Sequence, residues 1–389
     1  MRVTARKTMT GLVVVFVLCV AAHAQHIGKY VAIAAGSDAD HAMREINAAT
    51  DPAQKLALID KFASELGQGN MEIVADELYV NYYLAQKNYA KTYEYGDKLF
   101  SIDPDNLQNA VNLVRAASEA GDTDKLLGYG EKASGLLQRF TASAAPAGVS
   151  EEQWKQEKAT ALQSNADSIR YIEQAVYAGV YQTKEPAKRA GQLARFAALF
   201  PNSAYANPAL GVAATSYQQA QDVPKMLEVA NGLIQKDPNN LGMLLLLADY
   251  YGEKGEQLDK AEAYAKKAAG LADAVPKPEG VRDDQWKQET TLQKGIALSA
   301  LGQVNLQKKD NAAAVQNLLA AGPLLKSNDV SFARNQFRLG YAFLNLKKLP
   351  EARQAFTDAA SVNSPYKQPA LDKLKGLPAK APASRKKPA

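Results

Sequence analysis

The sequence predicts an all-α chain of stacked antiparallel helix pairs, and three observations predict it. Apolar residues recur at i, i+3, i+4 and i+7 in segments of about 12–16 residues, separated by short breakers. The chain also echoes itself. Asp103-Pro104-Asp105-Asn106-Leu107 returns as Asp237-Pro238-Asn239-Asn240-Leu241, the pattern Tyr-x-x-Lys-Ala-x-Gly-Leu at Tyr129 returns at Tyr264, and Gln153-Trp154-Lys155-Gln156-Glu157 returns as Gln285-Trp286-Lys287-Gln288-Glu289. Three matches in one order, at a nearly constant offset, mark a tandem duplication in which 70–165 is echoed by 204–297. Finally, no stretch sustains the β-branched alternation of a strand, so no sheet is expected.

The 389 residues open on a segment that reads as a cleaved leader. Arg2, Arg6 and Lys7 precede the apolar stretch from Gly11 to Ala22, and Ala22-His23-Ala24 supplies the small residues of a cleavage site before Gln25. The apolar stretch falls short of the roughly 20 residues a membrane-crossing helix needs. Residues 1–24 are therefore expected to leave and the protein to be exported, periplasmic or associated with the cell envelope. The one cysteine, Cys19, lies in that leader, so the mature chain is expected to carry no disulfide and no reactive thiol.

Residues 25–37 lead into the helices, and Ser37 ahead of Asp38 marks the first cap. Asp51-Pro52 opens a helix through Leu56, Ile59, Phe62 and Leu66, closed by Gly67 and Gly69. Two longer first helices are expected over 150–183 and 283–309, preceded by loops at 141–149 and 273–281. Ser150 with Gln153 forms the spacing of a capping box. Asn239 or Asn240 opens the helix 241–251, which Gly252 and Gly255 are expected to break. Eight pairs are expected from 38 to 363, then a closing helix near 366–375. A Pro, Ala and Lys-rich tail follows over 377–389, expected to be disordered.

Leu339-Gly340-Tyr341-Ala342-Phe343, followed by Ala352, Phe356 and Ala359, resembles the tetratricopeptide repeat, and Leu301, Gly302, Ala314, Leu318 and Ala321 repeat the pattern more loosely. Pro104, Pro201 and Pro238 stand where that family places its terminal proline, while Thr92 and Gly96 depart from its preferred Ala and Phe. The resemblance covers most of 38–376. It implies a right-handed α-solenoid whose units hide their apolar sides only by stacking, with an extended concave face. Small Gly340 and Ala352 are expected where paired helices approach most closely.

Composition and motifs argue against an enzyme. Hydrophobic residues make up 47% and charged residues 22%, which excludes a disordered polymer and a multi-span membrane protein. The net charge of +5 comes from the two ends, and the near-neutral body offers no footprint for nucleic acid. The three histidines, His23, His26 and His41, lack ligand spacing. Phosphate-binding, zinc-protease and serine-hydrolase motifs are absent from the sequence. Paired carboxylates such as Glu151-Glu152 and Asp283-Asp284 begin helices, where the dipole favours them. No cofactor and no metal is expected. The runner-up reading is an envelope enzyme or carbohydrate-binding protein on a helical solenoid.

The family resemblance implies that the first helix of each pair lines the groove. Its inward positions place Glu77, Asn81, Arg115, Gln174, Tyr181, Thr215 and Gln218 there, then Asp249, Gln303, Arg334, Phe337, Tyr341 and Asn345. A polar and aromatic lining suits an extended peptide or a partner helix. Phe337 and Tyr341 occupy positions where the family's carboxylate-gripping subtype carries polar clamps, so recognition of acidic chain ends is not expected. Tyr82, Tyr83, Tyr250 and Tyr251 read as core. Two readings stand for Trp154 and Trp286: a plug over the preceding repeat, or a partner anchor. Weak contact between the basic tail and an anionic envelope surface is a further expectation.

Overall fold

The computed structural model describes residues 26–378; the leader and most of the basic tail lie outside the described residues. Among the described residues there are 18 helices and no strand. The chain divides into two compact units at Ala220 and Gln221.

Unit 1 begins with an extended strap, residues 26–35, and continues with α1 (Asp38–Ala48), α2 (Pro52–Glu65), α3 (Met71–Ala85), α4 (Tyr89–Ile102), α5 (Leu107–Ala120) and α6 (Thr123–Ala142). It closes with α7 (Glu151–Ser164), α8 (Ala166–Tyr181), α9 (Pro186–Leu199) and α10 (Ala206–Gln219). Unit 2 comprises α11 (Val223–Lys236), α12 (Leu241–Lys254), α13 (Leu258–Ala272), α14 (Asp283–Gln307), α15 (Asn311–Leu324), α16 (Asp329–Asn345), α17 (Leu349–Ser361) and α18 (Lys367–Gly376). Within each unit most consecutive helices pack against each other, with α3–α4, α5–α6 and α9–α10 in unit 1 and α12–α13, α14–α15 and α16–α17 in unit 2 forming hairpins. First helices of successive hairpins also touch, α3 with α5 and α5 with α8 in unit 1, α12 with α14 and α14 with α16 in unit 2. Within each unit this alternation stacks helix hairpins into an α-helical solenoid segment, the class the sequence predicts.

Local chemistry starts the helices where the sequence places caps. Ser37 accepts the Asp40 N–H at 3.2 Å, Asp51 accepts that of Gln54 at 2.8 Å, and Asn240 accepts that of Met243 at 3.1 Å. Several hairpins turn through one left-handed residue followed by an Asx cap: Lys87 before Asn88, Gly121 before Asp122, Lys309 before Asp310.

Small residues then decide how closely the helices pair. A Cβ on Gly340 would lie 2.6 Å from the ring of Phe356, and one on Gly302 would lie 2.5 Å from Leu318. Phe356 and Leu318 are both fully buried. The departure at Gly96 has the same cause, because Leu113 of α5 fills the space its side chain would take, 2.5 Å from a built Cβ. Tyr79, Tyr95 and Tyr83 stack at 4.2 and 5.5 Å between centroids; of the four tyrosines expected in the core Tyr251 is buried, while Tyr82, Tyr83 and Tyr250 are half-buried.

Two expectations are corrected. The 150–183 segment is not one helix: it breaks at Asn165, whose side-chain amide donates to the Ala161 carbonyl at 2.8 Å. Helix α7 is instead tethered backwards. The Trp154 indole N–H donates to the Ser143 carbonyl at 3.0 Å, its ring stands edge-on to Phe140 of α6, and Lys158 donates to the Thr141 and Ser143 carbonyls. Ala161 is its one buried residue, so little packing holds α7 in line with α8. The second long segment does form a single helix, Asp283–Gln307.

Gly252 is the other correction. Helix α12 runs through it to Lys254 and stops at Gly255, whose φ is +70°. A Cβ on Gly252 would approach Val304 of α14 to 3.2 Å, so this glycine serves packing rather than termination. Gly179, inside α8 and against Leu126, does the same.

Candidate functional site

In unit 2 the first helices α12, α14 and α16 lie side by side and bring charged residues to their common face. Asp249 and Glu253 are one turn apart on α12, and Arg334 and Arg338 are one turn apart on α16. An i, i+4 spacing puts each pair on a single helix face. Arg334 donates to Asp249 at 2.6 Å. Arg338 donates to the other Asp249 oxygen at 2.8 Å, to Glu253, and to the Ser299 hydroxyl of α14 at 3.1 Å.

Arg338 is 4% exposed and the Asp249 side chain 14%. Two acids meet two bases here, so the cluster is neutral. Burial pushes the Asp249 carboxyl up, but Arg338 and Arg334 outweigh it and hold the group below the usual carboxylate range. Burial likewise pulls the Arg338 guanidinium down, and Asp249 with Glu253 more than restores it.

Above this cluster opens a cavity of about 300 Å³. Its apolar wall is Phe337, Tyr341, Leu306 and Tyr366, the last from the turn before α18; Arg338 and Glu253 border it, and Gln303, Gln307 and Asn345 supply amides. Phe337 stands edge-on to Tyr341 at 5.1 Å and tilts against Tyr366 at 5.7 Å, with Phe356 behind both rings. That backing fixes the wall, since Phe356 is itself pinned by Gly340. Lys373 of α18 lies 4.9 Å from the centre of the Tyr341 ring. The Asn345 amide donates to Asn311 at 2.8 Å.

The structure thus joins the expected unit 2 residues. Gln303, Phe337, Tyr341 and Asn345 line one cavity, and Asp249 and Arg334 are tied to it through Arg338. Sequence reasoning missed Arg338, Glu253 and Tyr366. The signal for the first two was legible as an acidic i, i+4 pair and a basic i, i+4 pair on first helices. Nothing in the sequence said that residues so far apart meet.

The expected unit 1 residues do not form a comparable site. Asn81 accepts from the Asn112 amide at 3.0 Å, and Glu77 accepts from Asn106 at 2.9 Å. Arg115 pairs with Glu119 at 2.9 Å; the same carboxylate accepts the Tyr89 hydroxyl, and these three border a separate shallow cavity. Gln174 is exposed on α8, Tyr181 is 50% exposed at its end, Thr215 is exposed on α10, and Gln218 is half-buried there. A trough between α4 and α6 carries paired charges, Lys132 with Asp97 inside it and Arg139 with Asp105 beside it, both at 2.7 Å.

Among the described residues no group of three or more His, Cys, Asp or Glu could hold a metal ion, and no helix is long and apolar enough to cross a membrane.

No protein-family model and no curated protein matches the sequence. Solved structures that match include the Cut9–Hcn1 hetero-tetramer of APC/C, at 12% identity and a TM-score of 0.42 over 87% of this chain; the match spans 63% of the length of that chain. Yeast Tom70 matches at 10% identity and a TM-score of 0.37, over 93% of this chain and 71% of its own. NprR in complex with its cognate peptide NprX matches at 14% and 0.32, over 88% and 84%.

Proposed function

We propose that this chain is a non-enzymatic protein-interaction scaffold whose unit 2 cavity seats an apolar or aromatic side chain of a partner peptide or helix. The observation that carries the reading is the combination of a rigid aromatic wall, Phe337, Tyr341 and Tyr366, with a rim of amides over a charge cluster that is already neutralised. A neutral floor repels neither sign of partner, the rings supply contact area at low entropic cost, and the amides can pair a partner's main chain. We further propose, from the leader expected over residues 1–24, that this work is done outside the cytoplasm, in the periplasm or at the cell envelope.

A photo-crosslinking residue at Asn345, compared with one at exposed Thr357 on α17, tests the reading in cells. The cavity position is expected to capture a discrete partner that is lost in the Phe337→Ala, Tyr341→Ala double variant. Equal capture at both positions, or capture indifferent to the two rings, contradicts it. Fractionation with a mass measurement of the N-terminus tests export, and a chain beginning at Gln25 outside the cytoplasm is the expected result.

A further inference from the structure

The duplicated turns 103–107 and 237–241 allow one stretch of chain to be compared with its own copy. Their sequences differ at one position, Asp105 against Asn239. Their backbones agree: Asp103 has φ −134°, ψ 81° and Asp237 −132°, 93°; Asn106 has −72°, 97° and Asn240 −62°, 94°. In both, the Asx side chain caps the following helix, to Asn109 at 2.8 Å and to Met243 at 3.1 Å. In both, the Asn N–H returns to the first Asp carbonyl, at 3.3 and 3.0 Å.

The first turn is occupied. The chain's own strap lies across it, with the Ile27 carbonyl accepting the Leu107 N–H at 3.1 Å and the Lys29 N–H donating to the Asp103 carboxylate at 3.0 Å. Lys29 Nζ adds a bond to the Ile102 carbonyl at 2.6 Å, at the negative end of α4. Between them Gly28 has φ +123°, and a Cβ there would stand 2.9 Å from the Asn106 Cα, so glycine is required twice over. Under the strap Asp103, Asn106 and Leu107 are 0–2% exposed, and Ile27 is 2% exposed.

The second turn is open. Asp237 is exposed, Asn240 and Leu241 are half-buried, and among the described residues no carbonyl accepts the Leu241 N–H. The Asp237 carboxylate turns back on the Asn239 N–H at 2.9 Å. Half-buried Ile234 and Leu241 flank the turn as an apolar seat.

We propose that turn 237–241 is a docking site for an extended segment of a partner protein. In that segment a large aliphatic residue precedes glycine and then a basic residue, held as Ile27-Gly28-Lys29 hold the first turn. The partner's carbonyl takes the Leu241 N–H, its next N–H but one donates to Asp237, and its basic side chain meets the C-terminal carbonyls of α11. A second copy of this chain is the weaker occupant. Its strap is tethered beside its own site, and Val31 and Ile33 pin it to the core around Ile46 and Phe62. Exchanging it between copies creates no contact that is not already made.

The probe is a labelled peptide with the sequence of residues 26–33, titrated into the purified chain by fluorescence anisotropy. One equivalent is expected to bind. Asp237→Ala is expected to weaken binding about tenfold, the worth of one charge-assisted hydrogen bond. The peptide bearing Gly28→Val is expected not to bind, and it leaves the folding of the receptor untouched. Absence of binding overturns the proposal. So does binding that is equally tight in Asp237→Ala, because the peptide is then displacing the strap from the first turn. Concentration-dependent dimerisation of the chain, lost in Asp237→Ala, overturns it in favour of a second copy.

Discussion

At Arg338 a single side chain decides both the stability and the shape of the candidate site. It bonds Asp249, Glu253 and Ser299 while nearly withdrawn from water. Arg338→Ala leaves Asp249 with Arg334 as its remaining partner, so a loss of about 3–5 kcal/mol is expected in urea unfolding, the cost of breaking a buried pair. The pH dependence follows from the same geometry. Because the native Asp249 carboxyl titrates below its ordinary value of 3.8, its contribution is fully present above that value. It is lost as pH falls through the lower native value. Unfolding midpoints of the wild type should therefore drop below about pH 4 more steeply than those of Asp249→Asn, which starts weaker at neutral pH. Parallel slopes would remove Asp249 from the account of acid stability. Gly340 and Phe356 give the packing counterpart. Phe356→Ala empties a fully buried site and should cost about 3–5 kcal/mol, while Gly340→Leu drives a side chain into that ring and should cost about 1–3 kcal/mol. Both residues were legible in advance because the repeat pattern names them. Arg338 was not, since the inward positions of one helix carry no record of which acids on another helix face them.

Helices and their turns show where sequence patterns suffice and where they fail. Caps such as Asp51 and Asn240, the capping box at Ser150, and the 25-residue helix from Asp283 were readable because each depends on residues a few positions apart. Glycine was the ambiguous letter. Gly255 ends a helix through a positive φ, whereas Gly252 and Gly179 sit inside helices against Val304 and Leu126. Only the neighbouring helix distinguishes the two uses. The break at Asn165 was equally hidden, because its cause lies in the tethering of α7 to the end of α6 by Trp154 and Lys158. One turn departs from its fellows in a way that can be repaired. Before α17, Lys347 takes φ +59° and Lys348 stands at the cap position without a side-chain bond. Lys348→Asp restores the acceptor found at Asp222 and Asp310 and should raise stability by about 1 kcal/mol. Lys347→Gly should add about 0.5–1 kcal/mol by relieving the left-handed strain. Thermal melts of the two variants check this, and an unchanged midpoint in both would mean that this turn frays before the protein unfolds.

For the chain as a whole, the all-α class and the tandem echo were visible because a repeat must reuse the same packing solution, and reuse leaves periodic small and large residues in the sequence. The division at Ala220 was less visible, since it falls between α10 and α11 rather than at the boundary of the duplicated segments. Stacked helix pairs touch mainly their neighbours, so stability in such arrays is close to a sum of local and nearest-neighbour contributions. A cavity at Phe356 should therefore weaken what surrounds it and spare what is many hairpins away. Amide hydrogen exchange of Phe356→Ala followed by mass spectrometry is expected to show faster exchange in α14 to α18, with α1 to α6 close to wild type. Uniform acceleration along the chain would instead make the protein one cooperative block. Binding at the unit 2 cavity would then be felt throughout the chain rather than held where α12, α14 and α16 meet.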